Sequence, residues 1–308
     1  EIASCLVGSE MCIRDRITAI TTGGRFMVLT TRQSYRILAA ITAALLLSAC
    51  QSANPIQAIN LNQAQGSSEN ISSLTAAINS NPQNPETYNV RGTAYGQAGE
   101  YGRAIGDFTQ AIQIDPNYYQ AYANRALVYR QQGKLTEAVQ DYGRAVQINP
   151  SYDSAYIGRG NIYRVAGRNR EALADFQRAI DLSTTDPRAY HNRGLLYQID
   201  GQHRLAIEDF STAISMEANS PEPYSARAIS YLALQNVDDA RDDINRALQL
   251  DGNRAEFWVT QGLVLEAAGE SGKAYRAFSR GAQLDPKYQP ARDGMSRTQS
   301  GAAGNTQA

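Results

Sequence analysis

The chain of 308 residues has few of the side chains that build most catalytic centres. Its three cysteines, Cys5, Cys12 and Cys50, all lie in the first sixth of the sequence, so no disulfide or thiolate-metal framework holds the rest together. Histidine occurs only as His191 and His203, which leaves little for acid–base catalysis or metal ligation. An excess of one charge is lacking as well: 29 basic residues face 30 acidic ones. That balance offers no electrostatic footprint for nucleic acid. The apolar run Ile37 to Leu47 covers only eleven residues, well short of the roughly 20 that a membrane-spanning helix needs. Hydrophobic residues nevertheless make up 43% of the chain, enough to bury a core.

The N-terminal part divides into three segments. Residues 1–26 show no helical or alternating period, and Ser4 to Arg16 resembles a translated sequencing-adapter string. They are set aside as non-native. Met27 then reads as a start, Arg32 and Arg36 as a positive n-region, and Ile37–Leu47 as the apolar core of a signal peptide over 27–49. Leu47-Ser48-Ala49-Cys50 is similar to the bacterial lipobox. The resemblance implies cleavage before Cys50 and a lipid on its thiol, and multiple acyl chains anchor stably where one does not. Gln51, standing where Asp would be the retention signal, implies by the same likeness an outer-membrane lipoprotein facing the periplasm. Residues 50–68 are polar and small, a flexible tether spanning on the order of 20–25 Å.

From there a period of 34 residues governs the chain. Tyr88, Tyr122, Tyr156, Tyr190, Tyr224 and Trp258 recur at that spacing, and so do Tyr95, Tyr129, Tyr163, Tyr197, Tyr231 and Leu265. Gly99, Gly133, Gly167, Gly201 and Gly269 mark a turn, with Gln235 as the exception. Ala104, Ala138, Ala172, Ala206, Ala240 and Ala274 form one small-residue column, and Ala111, Ala145, Ala179, Ala213, Ala247 and Gly281 form another. Between them lie Phe108, Tyr142, Phe176, Phe210, Ile244 and Phe278. Offsets of 4, 7 and 8 place these apolar residues on one helical face in each half-unit. The pattern predicts six helix-turn-helix units over 85–118, 119–152, 153–186, 187–220, 221–254 and 255–288. Leu74, Ala77 and Ile78 continue the phase backwards, predicting a lone second helix over 69–81. A short cap over 288–297 and a disordered tail over 299–308 complete the expectation.

A further pair of columns carries charge. Arg91, Arg125, Arg159, Arg193 and Arg227 are each followed sixteen residues later by Asp107, Asp141, Asp175, Asp209 and Asp243. In the sixth unit both change together, to Gln261 and Ala277. Joint loss predicts that they pair, one on each helix of the unit; the alternative is a row of arginines reading an acidic ligand.

These columns resemble the tetratricopeptide repeat (TPR) family across 85–286. The resemblance implies an all-α solenoid, a right-handed superhelix of antiparallel helix pairs, six full repeats between a half repeat and a cap. It also implies a concave groove for partner proteins, lined by Gln120, Leu127, Arg130, Gln131, Asn161, Arg164, Arg188, His191, Leu195, Gln198 and Ile199. Towards the C-terminus Ile229, Leu232, Ala233, Leu263 and Ala267 suggest an apolar patch. The Lys/Asn clamp of the chaperone-binding subset is absent, because no full repeat holds a lysine before Lys134. His191 has no cysteine or serine at a catalytic spacing, and His203 reads as a solvated turn residue. Asp238, Asp239, Asp242 and Asp243 are flanked by Arg241 and Arg246, as on a charged helix face rather than a metal site.

The expected function is a protein–protein interaction scaffold, not an enzyme, with no cofactor, no metal, no nucleic acid and no small-molecule substrate. Lipobox plus repeats is similar in architecture to NlpI-type lipoproteins, which implies envelope partners such as peptidoglycan hydrolases or proteases. The alternative is an accessory lipoprotein of an outer-membrane assembly or secretion complex.

Overall fold

The computed structural model describes residues 68–303. The adapter-like segment, the signal peptide, Cys50, the tether up to residue 67 and residues 304–308 lie outside the described residues. Among the described residues there are fourteen helices and no strand. A single helix, α1 (Ser68–Ser80), precedes six antiparallel pairs. These are α2 (Pro85–Gln97) with α3 (Tyr101–Ile114), α4 (Tyr119–Gln131) with α5 (Leu135–Ile148), and α6 (Asp153–Val165) with α7 (Asn169–Asp181). Then come α8 (Pro187–Ile199) with α9 (His203–Met216), α10 (Pro221–Ala233) with α11 (Val237–Leu250), and α12 (Ala255–Ala267) with α13 (Ser271–Leu284). Last is α14 (Gln289–Ala303). Each unit's helices pack on each other and on the next unit, so the core is continuous rather than central.

The turn inside each unit needs a left-handed residue. Gly99, Gly133, Gly167, Gly201 and Gly269 take φ between 72° and 77°, where a Cβ would be strained. Gln235 occupies the same place at φ 62°, so the backbone demand overrides the side chain. Between units the chain turns on a side-chain oxygen. The carboxylates or amides of Asp115, Asn149, Asp251 and Asp285 accept from the backbone N–H two residues on, at 2.9–3.0 Å. The column lacks an Asx twice: at Glu217 the second helix keeps its 14 residues, whereas at Ser183 the residue takes φ 59° and α7 stops after 13. Pro85, Pro187 and Pro221 sit in the first turn of their helices, where a missing N–H costs nothing.

Ring size and backbone approach are matched within each unit. A Cβ on Gly92, Gly194 or Gly262 would lie 2.5–2.8 Å from a ring atom of Phe108, Phe210 or Phe278. Those phenylalanines are 0–1% exposed. Where the glycine becomes Ala126, the ring is Tyr142, which turns instead onto Gly158 of the next unit. Where it becomes Ala228, the partner is the ring-free Ile244. Ala104, Ala138, Ala172, Ala206, Ala240 and Ala274 are all 0% exposed, as close helix packing requires.

The C-terminus departs from expectation. The last helix runs through Ala303, so the cap does not stop at 297 and residues 299–303 are helical rather than a disordered tail. The reason is register: α14 begins 34 residues after α12 and packs as a seventh first helix. Ala291 is fully buried against Phe278, Thr298 donates to the Gly294 carbonyl at 2.7 Å, and Arg297 pairs with Glu266 at 3.0 Å. At the other end α1 docks as the expected lone second helix, with Ile78 6% exposed.

Candidate binding groove

The charged columns are structural. In each of the first five units the arginine donates from Nε and Nη2 to both carboxylate oxygens of its aspartate, at 2.6–2.9 Å. The paired side chains are 6–20% exposed. Each guanidinium also lies 5.6–5.9 Å from two tyrosine rings, one before and one after it on the same helix. The third nitrogen, Nη1, reaches back to the previous unit: to Thr75, Thr109, Gln177 and Ser211 from Arg91, Arg125, Arg193 and Arg227, at 2.6–3.1 Å. This acceptor column was legible at the same spacing of 34 but is chemically mixed, which hid it. At Gly143 it is empty, and Arg159 hydrogen-bonds only to its aspartate. Four of the arginines therefore fasten three helices and Arg159 two, and their carboxylate-facing nitrogens are already occupied.

The sixth unit lacks this fastener. There Gln261 donates to Asn245 at 3.2 Å, and an open notch of about 320 Å³ remains between Trp258, Leu265, Lys273 and Arg276.

The first helices of successive units pack against one another, as on the inner side of a curved stack. On that side α4, α6 and α8 bring several of the expected residues together. Arg130 on α4 lies in electrostatic range of Arg188 on α8, and both lie in range of Tyr142. Arg164 on α6 lies in range of His191 on α8. Burial lowers the pKa of Arg130 and of Arg164 from the ordinary value. Burial, then the Arg164 charge, pushes His191 down to about 4, so its ring is neutral. The ring stacks at 5.6 Å from Phe210, and its Nδ1 has no hydrogen-bond partner. Arg188 is exposed and bonded to Asp186, whose carboxylate also caps α8; that hydrogen bond raises the Arg188 pKa.

Other expected residues face different tasks. Gln198 is 5% exposed and donates to the Ala226 carbonyl and the Ser230 hydroxyl, both at 2.8 Å. It is a strut between α8 and α10 rather than a groove reader, because its amide is already spent inside the stack. Asn161 is buried and accepts from Arg164 at 3.3 Å, so it positions that arginine. Gln131 is exposed and accepts from the Tyr101 hydroxyl at 2.8 Å. Leu127 and Gln120 are half-buried, and Leu195 packs against the Phe210 cluster. Ile199 is 43% exposed, and Val165, one repeat earlier, is 56% exposed.

The C-terminal apolar patch is only partly closed: Ile229 and Ala233 are half-buried and Ala267 is exposed. Leu232 is 6% exposed within a core cluster, and Leu263 packs against that cluster and the next. His203 is half-buried at the start of α9 instead of solvated. Asp243 is held by Arg227 and Asp239 accepts from Asn236; among the described residues no acidic or histidine group has metal-site geometry. Among them, too, no helix is long and apolar enough to cross a membrane.

Sequence profiles described as tetratricopeptide repeat match residues 85–118, 108–140, 187–220 and 225–288, and one described as TPR repeat matches 126–164 and 160–201. No curated protein matches the sequence. Among solved structures, the chain is similar to one from the APC/C hetero-tetramer Cut9–Hcn1, with TM-score 0.66 and 19% identity over 86% of this chain. It spans 52% of that longer chain. PilF of Pseudomonas aeruginosa gives TM-score 0.63 at 19% identity, over 69% of this chain and 97% of its own. YrrB, described as a TPR protein with an unusual peptide-binding site, gives 0.52 at 21% identity, over 60% of this chain and 96% of its own. At these identities the likeness is one of fold.

Proposed function

The chain belongs to the tetratricopeptide repeat family, and from that premise we propose that it is an interaction scaffold whose ligand lies along α4, α6 and α8. The observation that carries this reading is the contrast between arginines. Five are consumed by fastening, while Arg130 and Arg164 line the inner face beside the exposed Val165 and Ile199. A stack of rigid pairs presents such a strip without rearranging, which suits an extended peptide or a partner helix. YrrB is a precedent for peptide binding on this fold.

The cellular address rests on sequence. Leu47-Ser48-Ala49-Cys50 and the preceding apolar run support a lipid-anchored scaffold in a bacterial envelope, facing the periplasm from the outer membrane. Its proposed partners are envelope proteins, with peptidoglycan hydrolases and proteases as the class that the NlpI-type architecture suggests. A second reading, an accessory of an outer-membrane assembly or secretion complex, would use the C-terminal patch, where Leu232 is buried but Ile229 and Ala233 are half-buried and Ala267 is exposed.

Two experiments test the proposal. Val165→Arg with Ile199→Arg should abolish binding of peptides selected from a display library, whereas the exposed Arg144→Gln on α5 should leave it intact. Equal binding by all three proteins would move the site elsewhere. For the anchor, palmitate should label the parent chain and not Cys50→Ala; equal labelling would contradict it.

A further inference from the structure

The two ends of the stack are unfinished in complementary ways. In the full units the second small-residue column is covered: Ala111, Ala145, Ala179, Ala213 and Ala247 are 0% exposed, and Gly281 is buried. Gly281 shows what does the covering, because a Cβ there would meet Ala255 and Val259 of its own first helix and Ala291 of the next. On α1 the same column holds Ala77, which is exposed. Leu74, in the column of the buried Phe108, Phe176 and Phe210, is only half-buried. Among the described residues α1 is a second helix without a first. At the other end α14 is a first helix without a second. Gly92, Ala126, Gly160, Gly194, Ala228 and Gly262 are buried on the side of their own second helices, but Ser296 in that column is exposed. With Met295, Gln299, Arg292 and Tyr275 it lines an open notch of about 260 Å³.

We propose that the chain joins end to end with a second copy of itself, α14 of one copy taking α1 of the next as its missing second helix. The join continues the helix pairing that the chain already makes six times. Ser296 falls opposite Leu74, in the places of Gly92 and Phe108. A Cβ in that column leaves no room for a ring, and the fifth unit meets it with the ring-free pair Ala228 and Ile244; Leu74 is ring-free as well. Met295 and Ser73 stand where the first unit has Arg91 and Asp107, so the seam needs no ion pair. The charges of α14 are engaged within its own end of the stack: Arg292 donates to the Pro286 and Lys287 carbonyls, and Arg297 pairs with Glu266. The chain's own residues before α1 fit the place poorly. One period before α2 they put Asn54 in the aromatic column, Pro55 inside the would-be helix, and Asn60 where Ala94, Val128, Ile162, Leu196 and Val264 are buried. The contact is heterologous and leaves a free α1 and a free α14 on every assembly, so copies add in line. Neither helix belongs to the proposed ligand strip on α4, α6 and α8, so occupancy of the groove and joining of the ends are independent.

Sedimentation velocity of the full-length chain over a wide range of concentration tests the join. The weight-average sedimentation coefficient should climb past that of a dimer. Ala77→Arg and Ser296→Arg each block one end, and each variant should sediment as a monomer. Both positions are exposed, so helix content by circular dichroism should match the parent. Mixed together, the two variants should form a dimer and nothing larger, because one keeps an intact α14 and the other an intact α1. Recovery of that dimer also shows that both variants are folded. A parent chain that stays monomeric throughout would overturn the proposal. Association that survives both substitutions would place the contact elsewhere, in the groove or at the lipid, and overturn it too. Loss of association in one variant only, or a mixture that remains monomeric, would show a symmetric contact instead of a head-to-tail one.

Discussion

The first five repeats and the sixth share helices, turn and small-residue columns but differ in how their helices are tied. In units one to five a guanidinium bridges its own aspartate, two tyrosine rings and, in four of them, the preceding unit. In unit six Trp258, Leu265, Gln261 and Ala277 replace that set, and the space is an open notch. Burial is common to both: Phe278 is covered by α12 on one side and by Ala291 and Gly294 of α14 on the other, and Phe108, Phe176 and Phe210 of the fastened units are buried as fully. An ion pair fixes register at small net gain, whereas apolar covering stabilises without specifying. A unit that ends the stack against a cap needs less register control than one with neighbours on both sides.

The largest expected effect comes from unpairing a fastener. Asp141→Ala strands Arg125 in a desolvated place and should cost about 3–5 kcal/mol in the opening of α4 and α5. Gln261→Ala in the sixth unit should stay within about 0.5 kcal/mol. Amide exchange resolved by helix measures both, and similar values would erase the distinction.

Protons should separate the regions next. His191 titrates near 4 in the fold against 6.5 unfolded. Its neutral form is the one the fold accepts, so the contribution is fully present above pH 6.5 and is lost as pH falls through 4. The loss approaches roughly 3 kcal/mol at its limit. The sixth unit holds no histidine. Exchange in α8 should therefore quicken between pH 6.5 and 4, after correction for intrinsic rates, relative to α12, and His191→Leu should remove the difference.

Packing gives a smaller contrast. Gly262→Ala places a Cβ 2.5 Å from the Phe278 ring, an overlap expected to cost about 1–3 kcal/mol. Ala228→Gly, in the unit whose partner is Ile244, should cost only about 0.5–1 kcal/mol through helix propensity. Urea midpoints compare the two. Smallest, and of opposite sign, is Gln235→Gly: relieving φ 62° should raise stability by about 0.5–1 kcal/mol, net of the added freedom of the unfolded chain. A midpoint that falls instead would show that Gln235 contributes a contact.

Most of this architecture was legible in the sequence because a repeat reports each position several times. Arg91 and Asp107 would be unremarkable once; five copies, and a sixth in which both are lost, identify a pair. The Gly/Phe matching was present too, but its exceptions, Ala126 with Tyr142 and Ala228 with Ile244, make sense only once ring directions are known. The groove was harder. Equivalent positions in a repeat need not have equivalent surroundings: Arg130 and Arg164 are half-buried, while Gln198, one repeat on at the same position, is buried against Ser230. The tail was misjudged for another reason. Its Gly, Ser and Ala residues carry little helical signal, and only the 34-residue register of α14 extends the helix through Ala303.

The Arg/Asp columns fasten the stack, whereas Arg130 and Arg164 are proposed to serve the ligand. A double-mutant cycle with Arg193→Met and Asp209→Leu, followed by both unfolding and peptide binding, tests this division most directly. Each single change should cost about 3–5 kcal/mol and the double change far less, with peptide affinity unchanged wherever the protein is folded. Small, additive stability effects accompanied by loss of peptide binding would show instead that the column is the ligand site.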